Sequence, residues 1–232
     1  MKRIAIIPAR GGSKRLPGKN VMDFLGKPMI QWTIDAARKS GLFARVVVST
    51  DDAEIARVSL ACGAEVPFLR TEAADDFAPV SEATLSTLKQ VEDQFDEQFD
   101  EVWQLFAVCP LRTAEQMKMA ARFFTDKKAD FLISCFEYQW MNPWWANTID
   151  ENFKPTWLFP DGFRRSQDLP KLYCPTGAIW IAKAEAFKKE KTFYGPSHVF
   201  WPMDWMSAVD IDEQEDVVLA ETLYYVREKL KK

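Results

Sequence analysis

Histidine is nearly absent from this chain, because His198 is the single one among 232 residues. Chemistry that needs an imidazole base or metal ligand would have to use that one side chain, and its aromatic and apolar neighbours favour a structural role. Cysteine is scarce too, and no CxxC pair occurs among the four: Cys62, Cys109, Cys135 and Cys174. This spacing argues against a zinc site and predicts buried free thiols in a reducing compartment.

Long apolar runs are also missing. No stretch approaches the roughly 18 apolar residues of a membrane span, and the N-terminus has no small-residue cleavage site of a signal peptide. We therefore expect a cytoplasmic protein without membrane contact. The net charge of −4 argues against general nucleic-acid binding. An apolar content of 47% and the absence of repeats or linkers predict a single domain over residues 1–232.

Short apolar segments alternate with amphipathic ones along most of the chain. We predict strands over residues 4–8, 45–49, 65–68, 102–108, 131–136, 177–182 and 209–211. We predict helices over residues 28–39, 52–62 (capped by Thr50-Asp51), 81–94, 113–127 and 212–230. The alternation indicates an α/β fold, with a doubly wound, mostly parallel, Rossmann-like sheet. Ligands of such sheets bind beyond the carboxyl ends of strands, where Arg10, Asp51 and Pro110 would lie.

A basic, glycine-rich loop follows the first predicted strand, over residues 9–20 (ARGGSKRLPGKN). Its four cations would repel one another, and a polyphosphate bound by them and by backbone N–H groups would relieve that repulsion. The spacing matches neither the Walker pattern nor GxGxxG. The loop is therefore a phosphate site of another kind or a solvated turn.

Two carboxylates occur close together near the end of the chain, at Asp210 and Asp212. In an extended segment they would point to the same face, where a divalent cation such as Mg²⁺ would relieve their repulsion. The alternative is a helix N-terminus carrying acids that favour the helix dipole.

The regular pattern stops between about residues 138 and 173. This segment carries Trp140, Trp144, Trp145 and Trp157 with several prolines. Exposed aromatic side chains of this kind mark an interface. We expect either a protruding arm or dimerisation lobe, or an irregular lobe packed on its own domain.

The basic loop resembles the signature of the acylneuraminate cytidylyltransferases, also called CMP-sialic acid synthetases. The resemblance continues, in order, at residues 47–52 (VVSTDD), 67–70 (PFLR), 110–113 (PLRT), 167–170 (QDLP), 177–179 (GAI) and 209–212 (VDID). It implies an enzyme that transfers CMP from CTP to a sialic-type nonulosonic acid, releases pyrophosphate and uses Mg²⁺. It also implies a homodimer in which the arm packs on the second subunit and helps close its site.

The resemblance assigns roles to residues of this sequence. Catalytic roles fall on Arg10, Lys19, Asp210 and Asp212, of which Asp210 and Asp212 bind the metal. Nucleotide binding falls on Ala9, Arg10, Gly11, Gly12, Ser13, Lys14, Lys19, Asn20, Arg70 and Ser81. For Arg70 and Ser81 the alternatives are a surface cation and a helix N-cap.

An acceptor that carries a carboxylate needs cations, amides and aromatic groups around it. The candidates are Phe106, Arg164, Arg165, Gln167, Thr176 and Trp180. Three positions depart from the sialic-acid pattern: Phe106 replaces a Gln, Ser166 an Arg and Thr176 an Asn. The segment 165–169 and Phe106 resemble the pseudaminic acid branch, whereas residues 176–181 resemble the neuraminic and legionaminic branches.

Three other functions fit parts of the pattern. The related octulosonate cytidylyltransferases, which use an eight-carbon acid, have a similar loop, although Lys19-Asn20 and residues 167–170 favour the sialic branch. A non-catalytic nucleotide-sugar binding homologue would use the same pocket, but the presence of both Arg10 and the Asp210/Asp212 pair argues against it. A protein-interaction scaffold is indicated only by the tryptophan-rich segment.

Overall fold

The computed structural model describes residues 1–71, 80–160 and 164–230. In chain order its elements are β1 (Arg3–Pro8), β2 (Asp23–Phe24), β3 (Lys27–Pro28), α1 (Met29–Ser40), β4 (Arg45–Ser49), α2 (Ala53–Ala61), α3 (Val80–Phe95), β5 (Glu101–Gln104), α4 (Ala114–Lys127), β6 (Phe131–Glu137), β7 (Asn147–Ile149), β8 (Pro155–Trp157), β9 (Tyr173–Lys183), α5 (Ala184–Glu190), β10 (Val199–Pro202) and α6 (Gln214–Leu230).

The central sheet has six strands in the order β10-β6-β9-β5-β1-β4. Strand β1 pairs in parallel with β4 and β5, and β10 pairs in parallel with β6. Strand β9 is antiparallel to both of its neighbours, β5 and β6. The expectation of an α/β fold with a mostly parallel sheet is therefore confirmed.

Both faces of the sheet are buried, which explains the continuous apolar character of β1. Ala5 and Ile7 join the core on the side of α1 and α4, whereas Ile4 and Ile6 join the core on the side of α3 and α5. Successive side chains of a strand point to opposite faces, so a strand covered by helices on both sides must be apolar at every position.

Local capping signals set several helix ends. Helix α1 ends at Gly41, whose φ of 66° is the left-handed conformation that glycine adopts without a steric penalty. Helix α4 begins after Thr113, which forms a reciprocal capping box with Gln116. Helix α2 is capped by Asp52, whose carboxylate accepts from the N–H groups of Glu54 and Ile55. The predicted cap at Thr50-Asp51 was therefore wrong by one residue.

Three predicted strands differ from the structure. Residues 65–68 contribute only a single bridge, between Glu65 and Val47. The strand predicted over 102–108 ends at Gln104. Leu105 and Phe106 still donate to the Ile6 and Gly177 carbonyls, and residues 105–109 stay largely buried. Residues 209–211 form no strand; they follow a 3-10 turn, and the Ile211 N–H donates to the Val108 carbonyl at 3.0 Å.

The segment over residues 138–173 contains the short β7–β8 hairpin and two 3-10 turns; residues 161–163 lie outside the described part. Its large apolar side chains are unusually exposed, with Trp140 at 80% and Phe153 at 81%. We call this segment the arm. Within the described residues, no helix combines the length and apolar character that a bilayer crossing requires.

Candidate active site

A cleft of about 650 Å³ lies beyond the carboxyl end of β1. Its walls come from the basic loop, the first turns of α3, the segment after β5 and the approach to α6. The lining residues are Pro8, Ala9, Arg10, Ser13, Lys14, Arg15, Leu16, Lys19, Asn20, Arg70, Val80, Ala83, Phe106, Ala107, Val108 and Asp212. Nine predicted site residues thus share one cavity: Ala9, Arg10, Ser13, Lys14, Lys19, Asn20, Arg70, Phe106 and Asp212.

The basic loop is held against the segment that follows β4. The Gly11 N–H donates to Asp51 Oδ1 at 3.0 Å. A Cβ atom on Gly11 would lie 2.6 Å from Asp52 Oδ2, whereas a Cβ atom on Gly12 would meet nothing within 4 Å. Glycine is therefore required at position 11 for close packing and not at position 12. The Gly11 N–H, which we expected to face a phosphate, is instead used to hold the loop.

Asn20 also stabilises the loop. It is buried, and its Nδ2 donates to the Arg10 carbonyl at 2.9 Å. The amide thereby links the two ends of the basic segment. It fixes the backbone from which the Arg10 side chain projects.

The basic loop meets the acidic segment across the cleft. Lys19 Nζ lies 2.8 Å from Asp212 Oδ1 and donates to the Ile211 carbonyl at 3.0 Å. Arg15 lies 2.6 Å from the other carboxylate oxygen of Asp212. Burial alone would raise the pKa of Asp212, but the hydrogen bond and charge of Lys19, together with Arg15, outweigh it and lower that pKa.

Asp210 has a different environment. Burial, followed by the charge of Asp212, raises the pKa of Asp210 to about 6. Its Oδ1 is buried and has no hydrogen-bond partner among the residues described. An orphaned buried carboxylate oxygen beside a second carboxylate fits a cation.

The donor set is compatible with Mg²⁺ in particular. In the described part of the chain, no three acidic, histidine or cysteine side chains converge as a complete metal cage. Magnesium is commonly held by one or two carboxylates, with water and substrate phosphates completing its shell. Asp210 and Asp212 are sufficient protein ligands for that arrangement.

Arg70 is buried rather than the surface cation of the alternative interpretation, with 5% of its surface exposed. It donates to Ser49 Oγ at 3.3 Å, and its Nε has no partner in the described residues. Burial lowers the pKa of Arg70, an effect that Asp51 opposes and Arg10 reinforces. Ser81 lies inside α3, which already includes Val80, so it is not the N-cap; it is buried and does not line the cleft.

The predicted acceptor residues fall into two groups. Phe106 lines the cleft, and its ring packs against Trp180 with centroids 5.4 Å apart. Behind it, the buried Thr176 hydroxyl donates to the Ala208 carbonyl at 2.9 Å, so it supports the backbone instead of facing the cleft. Arg164, Arg165 and Gln167 are exposed on the arm and do not line this cavity.

Two cations near the site were not assigned by the sequence. Arg15 belongs to the basic loop, but its pairing with Asp212 has no signature in the pattern. Arg112 is 3% exposed and donates to the Ala178 carbonyl, to Thr33 Oγ1 at 2.6 Å and to the Phe106 carbonyl at 3.3 Å. It holds the cleft wall at Phe106. An arginine within an apolar stretch was the available signal.

The sequence model of the family described as cytidylyltransferase matches residues 4–131. A pseudaminic acid cytidylyltransferase of Campylobacter jejuni subsp. jejuni is 35% identical over 231 residues, which cover 97% of each chain. A CMP-N,N'-diacetyllegionaminic acid synthase of Legionella pneumophila is 36% identical over 228 residues, 96% of each chain. An N-acylneuraminate cytidylyltransferase of Streptococcus agalactiae is 33% identical over 220 residues, 94% of this chain and 52% of that protein.

Two solved structures share the fold. A CMP:2-keto-3-deoxy-manno-octonic acid synthetase complexed with CTP has a TM-score of 0.73 at 17% identity, covering 98% of this chain and 100% of the other. A 4-diphosphocytidyl-2C-methyl-D-erythritol synthase from Anaerococcus prevotii has a TM-score of 0.63 at 12% identity, covering 97% and 98%. At these identities the likeness establishes the fold alone.

Proposed function

The chain belongs to the cytidylyltransferase family, and from that membership we propose that it transfers CMP from CTP to a nine-carbon nonulosonic acid. The observation that carries the proposal is the cleft in which the cationic loop of Arg10, Lys14 and Lys19 meets Asp212. Relatives that cover nearly the whole chain are named for pseudaminic and legionaminic acids.

In the proposed reaction a hydroxyl oxygen of the acid attacks the α-phosphorus of CTP. The bond between that phosphorus and the oxygen bridging to the β-phosphate breaks, so that pyrophosphate leaves and the hydroxyl proton is released. Negative charge grows on the phosphoryl and leaving-group oxygens. Arg10, Lys14 and Lys19 are the cations that stabilise this charge, because they line the same cleft.

Asp210 and Asp212 are the residues that would hold Mg²⁺. The orphaned Oδ1 of Asp210 supports this assignment. The ion supplies positive charge to the triphosphate when bound. For the chain itself, cation binding would also exchange the partners of Asp212, since Lys19 and Arg15 now neutralise it.

We assign the nucleotide to the floor of the cleft, between the basic loop and α3. Arg70 and Asn20 are the polar groups there, and the buried Nε of Arg70 offers an unused donor. Ser81 contributes through the position of the first turn of α3 and not by direct contact. The acceptor lies against Phe106, with Trp180 and Thr176 supporting that wall from behind.

We further propose that the chain is one domain from which the arm protrudes, and that two copies form a homodimer through their arms. The exposed apolar side chains of the arm, among them Trp140 and Phe153, need a cover that an isolated chain does not supply. Arg164, Arg165 and Gln167 of one copy would then approach the acceptor in the other. The four free cysteines fit a cytoplasmic location.

The decisive experiment combines purified protein, CTP and Mg²⁺ with a panel of acids: pseudaminic, legionaminic and N-acetylneuraminic acid, and the eight-carbon octulosonate. We expect pyrophosphate release and a CMP-linked product, detected by mass spectrometry, with at least one nine-carbon acid. Activity with octulosonate alone would mean that the acceptor is the eight-carbon acid and not a nine-carbon one. CTP binding by calorimetry without turnover on any member would instead support a non-catalytic homologue.

A further inference from the structure

A second cavity, of about 320 Å³, lies between α1, the segment that leads into α4, and α6. It shares no lining residue with the cleft. Its lining residues are Lys27, Trp32, Asp35, Ala36, Lys39, Pro110, Leu111, Arg112, Thr113, Ala114, Tyr224, Arg227 and Glu228. We call it the rear cavity. Its volume is at the small end of ligand sites, which span roughly 300–1,000 Å³.

The most unusual wall residue is Arg112. It is 3% exposed, and no carboxylate lies within ion-pair distance of it in residues 1–71, 80–160 and 164–230. Its guanidinium donates to the Ala178 and Phe106 carbonyls and to the Thr33 hydroxyl, all of them neutral. The Nε atom is buried without a hydrogen-bond partner in the same residues. The charge of the buried Asp210 reaches Arg112, although no hydrogen bond or ion pair joins the two in the described residues. A buried guanidinium compensated only at such a distance is costly, and an anion in the adjoining cavity would lower that cost.

The charged residues that line the rear cavity are also positive in sum. Four cations line it and two acids do, and one of the acids, Asp35, is paired with Lys27 at 3.0 Å. Arg227 is fixed in place by donating to the Leu111 carbonyl at 2.7 Å and to Ser207 Oγ at 3.0 Å. The excess of positive charge therefore rests partly on ordered side chains.

The cavity also adjoins the start of a long helix. Ala114, the first residue of the 14-residue helix α4, lines it. The N-terminus of a helix carries partial positive charge and favours anions. This contribution adds to that of Arg112, which precedes the helix by two positions.

We propose that the rear cavity binds a small phosphate-type anion, for which Arg112 is the deep counter-ion. The site is separate from the proposed CTP site. It is connected to that site through Arg112, because Nη2 of Arg112 donates to the carbonyl of Phe106, which lines the cleft. An anion drawn towards Nε would act on the same guanidinium that holds this wall.

The test uses pyrophosphate as the probe, titrated into the full chain by calorimetry without added metal. Saturating CTP, with no acceptor, keeps the cleft filled. We expect one pyrophosphate bound per chain beyond the cleft. The variant Ala114→Leu, which fills the rear cavity, should abolish this binding. Lys39→Ala should weaken it about threefold, as the loss of one exposed charged contact does. Lys89→Ala, on the exposed face of α3, is the matched control and should leave it unchanged.

Absence of any pyrophosphate binding beyond the cleft would overturn the proposal, and so would equal binding by the wild-type protein and Ala114→Leu. Thermal unfolding at matched ionic strength gives a second measure, since pyrophosphate should raise the wild-type Tm more than that of Ala114→Leu. Pyrophosphate binding by the wild type and by Ala114→Leu can also be compared in the absence of CTP. A negative result would then count against this site alone, because the proposed function is tested separately by turnover.

Discussion

Lys19 and Asp212 form an ion pair, with 2.8 Å between Nζ and Oδ1, although 193 positions separate them in the chain. The pair joins the basic loop directly to the acidic segment. Binding of a triphosphate with its cation would separate this pair, since Lys19 would contact the phosphates and Asp212 the cation.

Replacing Lys19 tests the cationic loop. Lys19→Met should lower the rate of CMP transfer at least about a hundredfold, the scale for loss of one group that stabilises transition-state charge. Steady-state pyrophosphate release measures it. Lys89→Met, an exposed change outside the cleft, should have the wild-type rate. A Lys19→Met enzyme within a few fold of the wild type would remove Lys19 from the proposed mechanism.

Binding of CTP and Mg²⁺ should be cooperative. Asp212 is paired with Lys19 and Arg15, so a cation that takes over Asp212 also frees two positive groups for the phosphates. Calorimetry should show CTP binding at least about tenfold tighter with Mg²⁺ than without it, a coupling of about 1.4 kcal/mol. In Asp212→Asn most of this difference should disappear. Equal CTP affinity with and without Mg²⁺ would contradict the exchange.

The two adjacent glycines of the loop should respond differently to alanine. In Gly11→Ala the new Cβ would meet Asp52 Oδ2 at 2.6 Å, so either the loop or the cap of α2 must move. We expect a loss of about 1–2 kcal/mol in the free energy of unfolding, the range for a lost N-cap, and weaker CTP binding. Gly12→Ala meets nothing within 4 Å and should change neither property appreciably. Urea denaturation and calorimetry on the pair distinguish them.

Phe106 and Gly177 should be coupled. A Cβ atom at position 177 would lie 2.1 Å from Phe106 Cδ2, so Gly177→Ala must displace the aromatic wall of the cleft. We expect the KM for the acceptor to rise more than the KM for CTP. The double variant Gly177→Ala/Phe106→Ala relieves the collision and should be more stable than additivity of the single changes predicts. Simple additivity in urea denaturation would mean that the two positions do not interact.

Glu97 should contribute to stability at neutral pH and lose that contribution in acid. The hydrogen bond from Arg45 lowers the pKa of Glu97 from its usual 4.5 to about 2. The native state therefore favours the charged form, and this stabilisation is complete above about pH 4.5 and declines as pH falls towards 2. Glu97→Gln should be less stable than the wild type at pH 7, by a gap that narrows below pH 4.5.

Urea denaturation between pH 7 and pH 3 measures that gap. Glu151→Gln, an exposed change in the arm, is the control and should follow the wild type throughout. A Glu97→Gln gap that stayed constant from pH 7 to pH 3 would show that the Arg45 contact does not favour the ionised carboxylate.

Much of the fold could be predicted from the chain because local signals and burial agree there. The apolar run of β1, the Gly41 end of α1 and the Thr113 cap of α4 each have a cause within a few residues. Residues 105–108 and 209–211 misled the prediction, since an apolar run that packs beneath a cleft has the same composition as one that pairs within a sheet.

The candidate site was predictable where residues cluster in sequence and less so where the backbone decides their direction. Most of the basic loop converges on one cleft with Asp212, and the family assignment is confirmed. The catalytic roles of Arg10, Lys19, Asp210 and Asp212 stay predictions. The Gly11 N–H and the Thr176 hydroxyl face the protein interior, and nothing in their residue types reveals a direction set by long-range packing.

Strand β9 has a consequence for how the chain is made. It lies between β5 and β6 in the sheet. Strand β6, which ends at residue 137, therefore cannot join the sheet that contains β5 until β9, which begins at residue 173, has been synthesised. A nascent chain on the ribosome would hold β6 with its apolar surface open during that interval. Chaperone capture should therefore be strongest for chains of intermediate length, and it should fall once β9 has emerged and inserted.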